Sequence, residues 1–350
     1  MKRLITIFMI SVILVNLTAC TKKEPEEKRY EAQFLELFDT VTTIVGYAQT
    51  KEKFTDDAQM IYDQLKEYHE LFDIYNDYDG VNNIKTINDN AGKKPVKVDQ
   101  KIIEMLKFAK EEDVKTNGKM NVAFGSVLAV WHEYREEGIE NPEEAKLPPM
   151  DVLQEKNQHI DINQMIIDET ASTVFLKDPQ MRLDVGAVAK GYATEMVSRY
   201  AEEHGFKRGM ISVGGNVRTI GSKDDKGTLW NVGIQNPDME SDQSNLFVLG
   251  LKEYSLVTSG DYQRYYTVNG KIYHHIIDPV TLLPADYFRS VSIVCKSSAL
   301  ADAYSTAVFN MPFEDGYKFV EDQPDVEALW VFKNGDMKFS SHFEELISKK

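Results

Sequence analysis

The chain has 350 residues, 40 Lys and Arg against 56 Asp and Glu, and a formal net charge of −16. With 42% hydrophobic residues, 17 Tyr, 17 Phe and 3 Trp it has ample material for a core, which excludes disorder; its acidity excludes the basic face of a nucleic-acid binder. Two cysteines exclude a disulfide-stapled scaffold, and the length fits one large domain or two ordinary ones.

The first element is not part of the fold. Lys2 and Arg3 precede an apolar run from Leu4 to Leu17, too short for a comfortable span of a bilayer about 30 Å thick but right for a signal peptide. Leu17-Thr18-Ala19-Cys20 resembles a bacterial lipobox. The expected organisation is therefore a signal peptide over 1–19, a lipidated tether over 20–33 beginning at Cys20, and a folded domain over 34–350. The tether is charged and lacks core formers over Thr21–Arg29. Cleavage before Cys20 leaves 331 residues with a charge of −18, anchored to the extracytoplasmic face of the cell membrane, and leaves Cys295 as the one free thiol, expected as a small buried hydrophobe.

Along the mature chain, Thr40–Tyr47 reads as a strand and Asp56–Tyr75 as an amphipathic helix with Ile61, Leu65, Tyr68, Leu71, Phe72 and Tyr75 on one face. Asp99 caps a further helix that ends at Asn117-Gly118, and Val122–Glu136 predicts another. Pro142, Pro148 and Pro149 mark an exposed connection; short strands follow over His159–Leu183 and a helix over Gly186–Glu203. The second half reads mostly as strands: Met210–Val213, Trp230–Gln235, Phe247–Leu251 and Ser255–Thr258, then hairpins turning at Asn269-Gly270 and Asn334-Gly335. Ala299–Met311 predicts a helix between them. The mixture implies an α+β fold with largely antiparallel sheets, not a doubly wound one.

Four segments concentrate Gly and polar residues at strand–helix junctions. Asp184-Val-Gly-Ala187-Val-Ala-Lys190-Gly191 enters a helix, whose N-terminus attracts anions, with Lys190 as an added charge; a tightly packed helix start would look the same. Ser212-Val-Gly214-Gly215-Asn216 is a turn or a backbone cradle, and Thr258-Ser259-Gly260-Asp261-Tyr262 again puts polar groups at a strand end. Asp302 and Thr306 lie four apart on a helix, so their oxygens share a face suited to a hard cation such as Mg²⁺, although a first-turn acid is also what a helix dipole favours. His274 and His275 point to opposite faces of a strand, which disfavours a shared metal and leaves one of them as a general base.

Taken in order, Asp184–Gly191, Gly214-Gly215-Asn216, Thr258–Tyr262, His275-Ile-Ile-Asp278-Pro279 and Ala301-Asp302 to Thr306 resemble the FAD:protein FMN transferases, the ApbE-like family, with Thr116–Asn121 matching an earlier flavin-contacting segment. The resemblance runs from about Phe34 to about Phe339. It implies that the Ala187 carbonyl, Asp302 and Thr306 hold Mg²⁺, with Mn²⁺ as an alternative. It further implies that Phe38, Tyr75, Lys119, Met120, Asn121, Asp184, Lys190 and Ile276 contact FAD together with the Gly214, Gly215, Asn216, Ser259 and Gly260 turns, and that His275 is the catalytic base. Phe38, Met120-Asn121 and Leu282 stand where many relatives have Met, Phe-Asp and Gly. The implied reaction is transfer of FMN from FAD to a Ser or Thr hydroxyl of an extracytoplasmic electron-transfer flavoprotein, with AMP leaving. Two rivals use the same residues: hydrolysis of FAD to FMN and AMP, and a surface lipoprotein that binds flavin without catalysis. A transporter's solute-binding lipoprotein is disfavoured, because two similar α/β lobes are missing.

Overall fold

A computed structural model describes residues 26–349. The signal peptide, Cys20 and the first part of the tether therefore lie outside the described residues. The elements are, in order, β1 (Lys28–Phe34), β2 (Thr42–Ala48), α1 (Lys51–Phe72), α2 (Ile84–Asp89), β3 (Val96–Lys97), α3 (Gln100–Lys115), α4 (Gly125–Glu140) and α5 (Met150–Lys156). There follow β4 (Met165–Asp168), β5 (Thr173–Leu176), α6 (Ala189–Glu203), β6 (Gly209–Val213), β7 (Asn216–Ile220), β8 (Trp230–Gln235), β9 (Asn245–Leu251) and β10 (Ser255–Gly260). The chain closes with β11 (Tyr265–Val268), β12 (Lys271–His274), β13 (Phe288–Cys295), α7 (Ser298–Phe309), α8 (Phe313–Glu321), β14 (Glu327–Phe332) and β15 (Met337–Phe339).

Eight strands form the main sheet in the order β1-β2-β6-β7-β10-β13-β14-β15, every pairing antiparallel. Both faces are covered, and the pleat sorts the side chains. Ile44, Val257, Val291, Ile293 and Trp330 point into the helix layer of α1, α6 and α7. Their neighbours Val45, Leu256, Val294, Leu329 and Val331 point to a second core roofed by the β8–β9 hairpin and Phe343. Two-sided burial explains why β13 reads as a continuous run rather than an alternation. A third cluster joins α4, α5 and the β11–β12 hairpin through Phe124, Val127, Trp131, Leu153, Tyr266 and Val268. The expected α+β class is the observed one. No helix among the described residues is long and apolar enough to cross a membrane.

Several boundaries differ from expectation. The strand β1 begins at Lys28 and pairs with β2 along its whole length, so the last residues assigned to the tether belong to the sheet. The helix α1 stops at Phe72: Asp73 turns extended (φ −64°, ψ 132°) and its carboxylate takes the amides of Tyr75 and Asn76, which carries Tyr75 off the helix. Gly186–Val188 form a turn ahead of α6 rather than its first residues. The two glycines after Val213 do not end the strand run; they reverse it into β7, which the local sequence pattern does not mark. The helices α2, α5 and α8, of six to nine residues each, are too short for a helical period to stand out in the sequence. Cys295 is buried against the Ser297 carbonyl as expected, and burial pushes its thiol up to about 12.

Candidate active site

One cleft of about 470 Å³ opens where the N-terminus of α6, the middle of α7, the end of β10 and the loops around residues 38, 75, 120 and 276 converge. It is lined by Phe38, Tyr75, Lys119, Met120, Asn121, Asp184, Ala187, Lys190, Gly214, Asn216, Ser259, Gly260, His275, Ile276, Asp302 and Thr306. Residues spread over 269 positions of sequence thus face one space. Gly215 is the exception. It sits at φ 89° on the outer side of the β6–β7 turn with nothing near its Cβ position, so its role is the turn itself. Gly214 is the cradle: at φ 56° a side chain there would run into Thr40 at 2.7 Å.

The end of the cleft built by α6 and α7 is lined with oxygen. Asp302 is only 5% exposed and its Oδ2 accepts the Gly191 amide at 2.7 Å. Burial raises its pKa, opposed by the positive charge of Lys190 and by that hydrogen bond. Gly191 must lack a side chain, because a Cβ would lie 2.3 Å from that of Asp302 and 2.4 Å from the Ser298 carbonyl. Since Gly191 donates to Asp302, the Ala187 carbonyl accepts no backbone hydrogen bond among the described residues. Thr306 follows Asp302 by one helical turn, and the buried Asn216 side chain lies beside the Asp302 carboxylate and favours its charged form. A buried carboxylate held by one amide, next to a carbonyl and a hydroxyl, is a set of hard oxygen donors, and it fits a divalent cation such as Mg²⁺. Among the described residues no cluster of three or more His, Cys, Asp or Glu offers a metal site of another kind. Behind this end, Glu195 of α6 accepts the Ser298 amide at 2.8 Å and so caps α7. Ser259 Oγ meets Ser305 Oγ at 2.9 Å, tying β10 to the same helix.

The opposite end is built from loops. The Arg264 carbonyl accepts both the His275 amide at 3.0 Å and its Nδ1–H at 3.2 Å. A carbonyl only accepts, so Nδ1 carries the proton and Nε2 is left as the free base. Burial, then the nearby Arg264 guanidinium and His274, hold the His275 imidazole well below its usual range, so it is neutral near pH 7. His274 is structural: it is buried, its Nε2 donates to the Ala285 carbonyl at 2.8 Å, and its Nδ1 accepts the Ile276 amide at 3.2 Å.

Two residues expected to touch a ligand through their side chains are otherwise engaged. Lys119 Nζ is paired with the buried Asp278 at 3.0 Å, linking its loop to the His275 segment. Asn121 donates to the Ile160 carbonyl and accepts the Ala123 amide, which shapes the entry to α4 and leaves backbone for the ligand. Met120 is buried in the floor. Leu282 adopts the left-handed conformation (φ 61°) that suits glycine; its buried side chain and a hydrogen bond from Trp131 Nε1 to its carbonyl hold it there.

Sequence reasoning missed Arg135 and Arg264, which add two cations to Lys119 and Lys190 in the lining, and the histidines His69 and His132. None stands in a Gly-rich junction, and the only hint was Arg264 three residues after Asp261. Tyr75, 49% exposed at the mouth, packs against His132 with the rings tilted by 34° and their centroids 5.2 Å apart. Burial and the Asp184 carboxylate push its phenol up to about 12.

A mixed α+β scaffold that points a neutral imidazole and a cation-fitting oxygen set into one cleft defines an enzyme. A model described as the ApbE family matches residues 38–330. The chain is 32% identical over 271 residues to a protein of Treponema pallidum (strain Nichols) named FAD:protein FMN transferase, covering 74% of this chain and 73% of that one. A protein of the same name from Klebsiella pneumoniae (strain 342) is 30% identical over 285 residues, 81% and 84% of the two chains. The solved structure of the ApbE protein from Thermotoga maritima matches with a TM-score of 0.80 at 29% identity, over 92% of this chain and 100% of that one. This chain belongs to the ApbE family and is a transferase.

Proposed function

We propose that the protein transfers the FMN moiety of FAD to a Ser or Thr hydroxyl of an acceptor flavoprotein and releases AMP, at an extracytoplasmic membrane surface to which Cys20 anchors it by lipid. The observation that carries this reading is the pairing, across one cleft, of a neutral His275 with the Ala187, Asp302 and Thr306 oxygens. The names of the relatives support the flavin chemistry, and the lipobox pattern supports the address.

In this mechanism the acceptor oxygen attacks the FMN-side phosphorus, its proton passes to His275 Nε2, and the phosphorus–oxygen bond to AMP breaks with the electron pair leaving on AMP. A positioned base contributes about 10²–10⁴-fold. A divalent cation on Ala187, Asp302 and Thr306 would neutralise charge on the pyrophosphate. Lys190 adds positive charge from the first turn of α6, and Gly214 lets the backbone approach the substrate closely. The local cations and the metal site answer how a chain of charge −16 accepts an anionic substrate.

Mass spectrometry of extracytoplasmic proteins co-expressed with this chain is the test. The expected result is an acceptor that gains the mass of FMN, and no gain with Asp302→Ala. Free FMN and AMP from FAD with no labelled protein would instead make the enzyme a hydrolase, and FAD uptake without AMP would make it a carrier.

A further inference from the structure

A cluster outside the helix-built end remains unassigned. Phe38 and Asp39 are consecutive non-glycine residues in the left-handed region, at φ 55° and 51°, a conformation that side-chain-bearing residues avoid unless the surroundings impose it. The surroundings do. The Phe38 amide donates to His69 Nδ1 at 3.2 Å, and the two rings meet edge to face with centroids 5.4 Å apart. That bond requires Nδ1 to be unprotonated, so Nε2–H donates to the Tyr78 hydroxyl oxygen 3.2 Å away. Tyr78 in turn donates to Asp73 Oδ2 at 2.7 Å. The other oxygen of Asp73 takes the Tyr75 amide at 2.6 Å and the Asn76 amide at 3.1 Å. Donors and acceptors run in one direction with a single tautomer. The chain of bonds starts at one aromatic wall of the cleft, Phe38, and ends on the carboxylate that places the other, Tyr75. Burial alone would raise the Asp73 pKa, but the hydrogen bonds it receives hold it below the ordinary carboxylate value, so it remains an acceptor at neutral pH.

We propose that His69, Tyr78 and Asp73 form a positioning relay that sets Phe38 and Tyr75 as a pair of walls for the isoalloxazine ring. The proposal rests on the flavin reading above and adds to it which residues determine ring affinity. Tyr78 is the informative member because it lines no part of the cleft. It acts only through His69 and Asp73.

The experiment measures Kd for FAD and FMN by quenching of flavin fluorescence and Kd for ADP by competition, in the full chain. Tyr78→Phe, which removes one oxygen, is expected to weaken FAD and FMN alike by about tenfold, the equivalent of about 1.4 kcal/mol. ADP binding and turnover at saturating FAD are expected to stay within twofold. His69→Ala is expected to lose the same factor, and His69→Asn, whose side-chain oxygen stands near the place of Nδ1, to recover most of it. Unchanged FAD affinity in Tyr78→Phe overturns the relay. An equal loss for FMN and ADP overturns it too, because general loosening rather than ring placement would be the cause. A wild-type chain that binds ADP but neither flavin would remove the flavin reading itself, and the relay's purpose with it.

Discussion

The two ends of the cleft are made differently. At the end built by α6 and α7, Asp302 and Thr306 ride on a regular helix, Ala187 sits in the turn that enters the other, and the Gly191 amide on Asp302 joins the two. At the other end Phe38, Tyr75, His275 and Leu282 sit in loops, and Phe38 and Leu282 hold left-handed backbone. Their placement depends on individual hydrogen bonds: a local one from Tyr75 to the Asp73 carboxylate, and others that bring in His69, Trp131 and the Arg264 carbonyl from farther along the chain. The division matches the chemistry. On the proposed function, a cation would demand oxygens at fixed separations, which a helix and the turn that enters it can supply, whereas a flat ring and an arriving hydroxyl would need walls and a base that loops can adjust.

The strongest way to break this comparison is to remove the base. His275→Ala is expected to lower the rate of transfer by about 10²–10⁴-fold while FAD still binds, as measured by AMP release beside fluorescence titration. Lost binding would mean that the two ends are not separable. The wild-type pH profile sharpens the point. A histidine whose folded pKa is depressed stays unprotonated, and so competent as a base, down to that lower value. Activity should therefore hold steady from pH 8 through about 6.5, the ordinary imidazole value, and an acid limb centred there would refute the neutral His275 environment.

Gly191→Ala tests the rigid end. Its Cβ would fall 2.3 Å from that of Asp302 and 2.4 Å from a backbone carbonyl, so α6 and α7 must separate. Overpacking of this kind costs about 1–3 kcal/mol, to be read from the denaturation midpoint, with transfer falling further than stability because Asp302 moves. A variant of wild-type stability and rate would show that the helix contact is loose. Leu282→Gly should have the smallest effect. Relief of the left-handed strain, about 1 kcal/mol, opposes the loss of a buried side chain worth about 1.5–3 kcal/mol, so a net loss near 1 kcal/mol is expected with little change in FAD affinity. A loss above about 3 kcal/mol would mean that the strain was never present and the side chain is a main support of the loop.

Much of this was legible in the residues. The α+β class followed from hairpin signals mixed with amphipathic helices, and the Asp302–Thr306 pair followed from a four-residue spacing, which is a local property of a helix. The motif order also singled out flavin, metal and base candidates that, all but Gly215, face the cleft, but it carried no sign of Arg135, Arg264, His69 or His132. Tyr75 shows where this stops: its helical periodicity with Leu71 and Phe72 is real, but the Asp73 side chain ends the helix before reaching it. Lys119 shows the same from the side of charge, since the carboxylate that engages it lies 159 residues away.

By itself, then, the sequence determined the residue types, the helix that presents a carboxylate and a hydroxyl on one face, and the turn glycines, all of which depend on neighbours within a few positions. Only the tertiary structure decided which cations face the cleft, which of two adjacent histidines is free, and that Phe38 is held left-handed by His69 thirty-one residues on. Those outcomes depend on burial and on hydrogen-bond partners distant in the chain, and a local pattern carries no record of either.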